Sequence, residues 1–338
     1  MHTEYLLADQ PLQLARAAQL LIEGKLVAVP TETVYGLAAD ASNPEAVAQI
    51  FKAKGRPANH PLIVHIAEPE HMYRWAEQIP PSAFALASHL WPGPLTLLLK
   101  KAAHVDSCVT GGEPNIALRM SAHPVLQSLL RMTELGLAAP SANPYQQLSP
   151  TQATHVAKGL SGKIAAILDG GNCQLGLEST IIDLTQPQPR ILRAGPITAD
   201  AIAQCLGQPV AAPQRHEVAI SGNKKQHYQP RKPLHIFATE KLLQQLKRTS
   251  QRIAVVFYSN DIQLASASIA SENPSGCAPI FRAATPNKAL YAQALYSTLH
   301  ELDALDIDAI WMEQPPQSAE WNDVNDRLVR AATKDDGK

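Results

Sequence analysis

Three cations, a glycine and two prolines crowd into Phe51-Lys-Ala-Lys-Gly-Arg-Pro-Ala-Asn-His-Pro-Leu62, just ahead of an apolar run that reads as a strand. Lys52, Lys54 and Arg56 flank Gly55. Basic side chains in a last helical turn, followed by glycine, stabilise a helix end without any ligand. Arg56 lies beyond that glycine and ahead of Pro57, where a guanidinium held on a rigid turn can address phosphate oxygens in pairs. Upstream, Pro30-Thr-Glu-Thr-Val-Tyr-Gly36 places two hydroxyls, a carboxylate and a phenol at the exit of another apolar strand. A strand end with a capping threonine accounts for part of this. So many hydrogen-bonding groups nevertheless need partners, and a polar ligand would supply them. The two segments together suggest a phosphate-bearing substrate beside a small polar one.

Other polar residues also fall at strand ends. His65, in Leu62-Ile-Val-His-Ile66, shares a face with Ile63, although a lone strand histidine is more often a satisfied core residue than a catalyst. Ser141 and Asn143 emerge from Ala139-Pro-Ser-Ala-Asn143, and Ser149-Pro-Thr151 reads as a helix start that could also hold an anion. Glu178-Ser-Thr180 precedes Ile181-Ile-Asp183, and Arg193 closes Ile191-Leu-Arg193. There is no Walker A sequence, no GxGxxG and no GxSxG elbow, which disfavours a P-loop ATPase, a dinucleotide enzyme and an α/β-hydrolase. Any nucleotide is then held by scattered Lys, Arg, Ser and backbone groups.

The elements that must position these groups are short. From Leu12 to Gly207, apolar runs such as 26–29, 62–66, 95–99, 116–120, 137–139, 165–168, 180–184 and 191–193 alternate with helical periodicity, often begun by proline. Neighbouring strands without intervening helices, as over 95–120 and 165–193, predict a mixed α/β sheet with flanking helices. Pro, Gln, Lys and His crowd the stretch 208–233, which reads as a linker. The organisation expected is a domain over 1–207, that linker, and a smaller α/β domain over 234–338.

At 338 residues the chain has room for two cores. Lys plus Arg is 29 against 30 Asp plus Glu, so nothing draws the chain as a whole to nucleic acid or anionic membrane. The four cysteines form no CxxC pair, which argues against a disulfide framework or a zinc site. No apolar run approaches the ~20 residues that span a bilayer. The first ten residues lack the pattern of a signal peptide, so the cytoplasm is the expected compartment.

Lys54-Gly-Arg56 with Ser141-Ala-Asn143, Pro30-Thr-Glu-Thr-Val-Tyr-Gly-Leu37, His60-Pro-Leu-Ile-Val-His65 and Glu178-Ser-Thr-Ile-Ile-Asp183 together resemble the YrdC/Sua5 family of L-threonylcarbamoyladenylate synthases. Trp321-Asn-Asp-Val-Asn-Asp-Arg-Leu328 resembles the closing segment of the Sua5 C-terminal domain, which would be Rossmann-like. The resemblance implies ATP, L-threonine and bicarbonate or CO2 as substrates, with Mg2+ on the ATP phosphates. The products would be threonylcarbamoyl-AMP and pyrophosphate, the former handed to the machinery that modifies adenosine 37 of tRNA. It implies Thr33, His65, Arg119, Ala139 and Ser179 as contacts of L-threonine. Arg56, His60, Asn115, Ser141, Ser149, Arg193 and Tyr228 would meet the nucleotide, with Lys52 and Asn143 beside them and Lys54 and Arg56 as catalytic cations. The linker carrying Tyr228 would fold over the active site. The chain departs from the family at Asn115, usually threonine, at His60, often asparagine, at Gln146, usually glycine, and at Ile220-Ser-Gly-Asn223 in the linker. Weak binding of double-stranded RNA is the alternative activity the fold allows, and the neutral charge weighs against it as the main one. A carbamoyl-transferring enzyme like the YrdC-like part of hydrogenase maturation factors is disfavoured by the missing zinc-finger and acylphosphatase-like segments.

Overall fold

The computed structural model describes residues 2–211, 218, 220, 228–272 and 278–333. Its contacts divide the chain into two units, Met1–Tyr145 with Ser149–Asn223, and Gln146–Leu148 with Lys224–Lys338. Most of the linker expected over 208–233, and with it the expected course over the active site, lies outside the described residues.

In the first unit the strands are β1 (Glu4–Leu7), β2 (Val27–Val29), β3 (Gly36–Asp40), β4 (Ile63–His65), β5 (Leu95–Lys100), β6 (Asn115–Arg119), β7 (Leu137–Ala138), β8 (Ala166–Asp169), β9 (Thr180–Asp183) and β10 (Arg190–Arg193). The helices are α1 (Pro11–Ile22), α2 (Pro44–Lys54), α3 (Pro81–Leu90), α4 (Pro124–Thr133), α5 (Ala153–Leu160) and α6 (Ala199–Leu206). The first four helices each open on proline, whose fixed φ and missing N–H suit the first turn. The strands form one mixed sheet in the order β1-β8-β2-β3-β7-β4-β6-β5-β9-β10, as the unbroken strand runs predict. β1 and β3 go beyond those runs. β1 is a partly exposed edge strand, and β3 is built of Gly36-Leu-Ala-Ala-Asp40, too small and helix-tolerant to look like a strand.

Strand alternation divides the side chains between two faces. Ala28, Val64, Leu97, Leu99, Ile116, Leu118 and Ile182 pack with α2, α3, α5 and α6. On the opposite face, Val27, Val29 and Ala38 meet α1 and α4. Further along that face Ile63, Leu98, Ala117, Ile181 and Leu192 form a separate small cluster, covered by Ile220 with Val218 beside it.

The second unit has four parallel strands, β11 (Leu234–Phe237), β12 (Ile253–Phe257), β13 (Ile280–Ala283) and β14 (Ala309–Glu313), in the order β11-β14-β12-β13. They are linked by α7 (Thr239–Leu246), α8 (Asn260–Glu272) and α9 (Lys288–Asp303), and α10 (Asn322–Ala331) follows the last strand. This is the Rossmann-like arrangement expected, although β13 and α8 carry too few large apolar residues to be read from sequence. Among the described residues no helix is long and apolar enough to cross a membrane.

Candidate active site

Pairing across the sheet brings a polar row together. His65 of β4 lies opposite Arg119 of β6, Arg119 opposite Thr96 of β5, Thr96 opposite Ile181 of β9, and Ile181 opposite Arg193 of β10. Paired residues share a face, so the row lies one pleat beyond Ile63, Ala117 and Leu98, at the border of the small apolar cluster.

The turn between β2 and β3 supplies the next layer. Thr31 Oγ1 accepts from the backbone N–H of Thr33 and of Val34, each at 3.1 Å, and donates to Val34 O at 2.6 Å. Thr31 is therefore the internal cap of the turn. Thr33 faces Arg119, whose Nη1 donates to Thr33 Oγ1 at 3.0 Å. Arg119 Nε donates to Gly93 O at 3.3 Å, and Nη2 pairs with Glu32 Oε1 at 2.7 Å. Ser121 Oγ and, at 3.1 Å, the backbone N–H of Ala122 also donate to the Glu32 carboxylate. Burial pushes that carboxyl up, yet the Arg119 charge and these hydrogen bonds outweigh it and hold it at about 2. Burial foremost, and then the Arg119 charge, lowers His65 to about 3, so its imidazole is neutral. His65 is buried, and its Nδ1 has no hydrogen-bond partner. A polar ligand atom would satisfy it.

On the far side of Arg119, Ser179 Oγ shares a hydrogen bond with Thr96 Oγ1 at 2.8 Å and accepts from Arg193 Nη2 at 3.0 Å. Arg193 Nε also donates to Ser179 O at 3.0 Å. Gly195 lets the β10 exit approach this strand, since a Cβ there would lie 2.3 Å from Thr180 N and 2.6 Å from the Ser179 carbonyl carbon. Ala139 is buried and donates its N–H to Ile63 O at 3.0 Å.

The cation stretch resolves into different jobs. Gly55 is left-handed at φ 64, and Arg56 N–H closes the end of α2 on Phe51 O at 2.9 Å. Lys54 is buried and its Nζ donates to Ser141 O at 2.5 Å and Asn143 O at 2.6 Å. It thus anchors the loop that carries both nucleotide-side candidates. Burial, with the Arg56 charge as a smaller contribution, lowers its pKa well below the ordinary lysine value. Arg56 Nη2 donates to Pro61 O at 3.0 Å, which aims the guanidinium across the 56–61 turn. Lys52 is exposed. His60 sits 5.6 Å from the Tyr145 ring. Ser149 Oγ donates to Glu178 Oε1 at 2.6 Å, next in sequence to Ser179.

The structure therefore joins Thr33, Arg119 and His65, joins Ser179 with Arg193, joins Lys54 with Ser141 and Asn143, and ties Ser149 to Glu178. Asn115 starts β6, the end opposite Arg119, and is not part of the polar row. Tyr228 lies in the second unit, buried against Tyr296. Glu32 and Glu178 already stand in the polar segments read from sequence, but Thr96 and Ser121 are neighbours of the candidates that residue types alone did not single out. Their signal was position, since each lies within two residues of a candidate or in register with one.

Residues 19–195 match the Sua5/YciO/YrdC family model, described as "Telomere recombination", and residues 197–333 match that of the "Threonylcarbamoyl-AMP synthase, C-terminal domain". The chain belongs to the two-domain Sua5 family. The threonylcarbamoyl-AMP synthase of Bacillus subtilis is 37% identical over 98% of this chain and 95% of its own length. The threonylcarbamoyl-AMP synthase of Pyrococcus abyssi is 46% identical over 63% of this chain, and the match spans 64% of that relative. The crystal structure of P. abyssi Sua5 complexed with L-threonine superposes with a TM-score of 0.86 at 33% identity, covering 98% of both chains.

Proposed function

We propose that this Sua5-family enzyme converts ATP, L-threonine and bicarbonate or CO2 into threonylcarbamoyl-AMP and pyrophosphate, and that the adenylate is passed to the machinery that threonylcarbamoylates tRNA. The observation that carries the reading is the buried Arg119. It is held by Thr33, Gly93 and Glu32, beside a neutral His65 with an unmet Nδ1 and the Thr96–Ser179 hydroxyl pair. A guanidinium has five N–H donors in a fixed fork. Three atoms are used by those partners, and the remaining donors suit a substrate carboxylate. The hydroxyl pair and His65 suit the hydroxyl and nitrogen of a small amino acid. The relative crystallised with L-threonine supports the same assignment.

In the reaction the threonine ammonium and bicarbonate give a carbamate, water and a proton, and a carbamate oxygen then attacks the α-phosphorus of ATP as pyrophosphate leaves. His65, at about 3, is too weakly basic to take the ammonium proton and acts as a hydrogen-bond partner, so the proton leaves to solvent. Arg56 and Lys52 would offset charge on the phosphates, while Lys54 keeps the Ser141–Asn143 loop in place. Arg193, bonded to Ser179, would join the amino-acid side of the site to the nucleotide side. Among the described residues no three His, Cys, Asp or Glu side chains form a metal cage. Glu32 and Glu178 are committed to Arg119 and Ser149. These residues do not fit a protein-held Mg2+, which would travel on the ATP phosphates.

The test is to incubate the full chain with ATP, Mg2+, bicarbonate and L-threonine and to seek threonylcarbamoyl-AMP by mass. Its formation, abolished when threonine is omitted, is the expected result. Pyrophosphate release that continues without threonine would overturn the reading. Serine is expected to be a poorer substrate, because the pocket around Thr33 and Ser179 should read the threonine methyl.

A further inference from the structure

The segment Trp321-Asn-Asp-Val-Asn-Asp-Arg-Leu328 has no part in the site above, and the second unit shows what it builds. Several of its residues fasten α10. Asp323 binds Lys288 at 2.6 Å, Asn325 Nδ2 donates to Pro316 O at 2.8 Å, and Trp321 meets Tyr291 edge-on with ring centres 5.3 Å apart. Arg327 does something else. Among the described residues it is one of the largest fully buried side chains. Its Nη1 reaches Asp326 Oδ2 at 2.9 Å, while Asp326 is also gripped by Arg330 at 2.8 Å. The Arg327 guanidinium lies 5.5 Å from the centre of the Tyr228 ring, and Tyr296 of α9 meets the same ring at 5.8 Å.

Tyr228 is almost fully buried and has φ 65, a left-handed conformation that a tyrosine keeps only where its surroundings impose it. Its neighbour Gln229 donates its N–H to Gln146 O at 2.8 Å and forms a bridge with Gln147. Gln146 is left-handed too, at φ 67. The tripeptide Gln146–Leu148 is carried by the chain between Asn143 and Ser149. One clip thus links that tripeptide to Tyr228 and Gln229, and both strained residues lie at it. A guanidinium taken out of water needs compensation, and the Asp326 carboxylate is one source of it. The face of a buried tyrosine supplies more, because cation–π attraction strengthens on desolvation.

We infer that Arg327 is a positioning residue for the adenylating reaction, acting through Tyr228. Its buried guanidinium fixes the ring and the left-handed backbone of residue 228, and with them the 146–148 clip between Asn143 and Ser149. The inference rests on the proposed function, in which Asn143, Ser149 and Tyr228 serve the nucleotide. The segment Trp321–Leu328 then contributes to catalysis through Tyr228.

The experiment uses the full chain with Arg327→Lys, Tyr228→Ala and the double substitution. Arg327→Lys is expected to raise the KM for ATP about tenfold, as loss of a desolvated cation–π contact implies. The Kd of L-threonine is expected to stay within about twofold, because its cluster lies wholly in the first unit. Hydrogen exchange should speed up at the Gln229 amide and stay slow in β12. In the Tyr228→Ala background the lysine substitution should add nothing further. An ATP KM unchanged in Arg327→Lys overturns the inference, as does an effect equally large with Tyr228 already removed. Should the lysine variant fold poorly, threonine affinity and β12 protection fall together with the ATP effect, and that joint loss also overturns it. If the unsubstituted chain releases no pyrophosphate with threonine, the proposed function fails. The exchange measurement alone then decides whether Arg327 holds Tyr228.

Discussion

Glu32→Gln isolates the buried ion pair that sets up Arg119. The substitution keeps the side chain's size and removes its charge, leaving Arg119 buried with no counter-ion. Removing one partner of a buried pair costs about 3–5 kcal/mol. An independent figure comes from the carboxyl itself. Held at about 2 instead of 4.5, it contributes about 3 kcal/mol of stability at neutral pH. Because this pKa is depressed by folding, the contribution is complete above the unfolded value and is lost as pH falls from about 4.5 toward 2. The variant lacks that dependence. Urea titrations followed by amide exchange in β6, which reports the first unit, should show the variant less stable by about 3 kcal/mol at pH 6. The gap should narrow by about 2 kcal/mol at pH 3. Equal stability at pH 6, or a gap of the same size at both pH values, would refute the claim that Arg119 is held by an ionised Glu32.

Lys54→Met cuts both bonds to the 141–143 loop and should lower threonine-dependent pyrophosphate release by about a hundredfold or more, with near-normal turnover removing Lys54 from the machinery. Gly195→Ala forces a methyl against the backbone of Ser179 and Thr180, so it should cost about 1–3 kcal/mol and weaken L-threonine binding in calorimetry. Unaltered threonine affinity would contradict the close approach. His65 stays neutral down to about 3, so His65→Asn should change threonine affinity by one constant factor across roughly pH 5–8. A step near the ordinary histidine pKa that disappears in the variant would contradict its burial. Since folding depresses this pKa, the stability it confers is present above the unfolded value and falls away as pH drops toward 3.

What the sequence makes legible follows from the range of the forces involved. Apolar alternation in Leu95–Lys100 and Asn115–Arg119 is local, and those strands lie where periodicity puts them. β3 is hidden because Gly36, Ala38 and Ala39 owe their strand geometry to β2 and β7 on either side, not to propensity. The site divides along the same line. Thr33, His65 and Ser179 are visible as polar residues at strand ends, and Arg119 enters through the family resemblance. Glu32's role is not visible, because it depends on a turn meeting Ser121 and Arg119 across a sheet whose strand order no local pattern encodes. The cation stretch shows the limit most sharply. Lys52, Lys54 and Arg56 have the same charge and nearly the same setting in sequence. Yet α2 turns Lys52 to water and Lys54 into two carbonyls, and the left-handed Gly55 carries Arg56 out onto the turn. A helix advances 100° per residue, so two positions separate opposite faces. Charge at a helix end thus points to an anion site, but which cation meets the anion and which builds its wall is decided by where the helix stops.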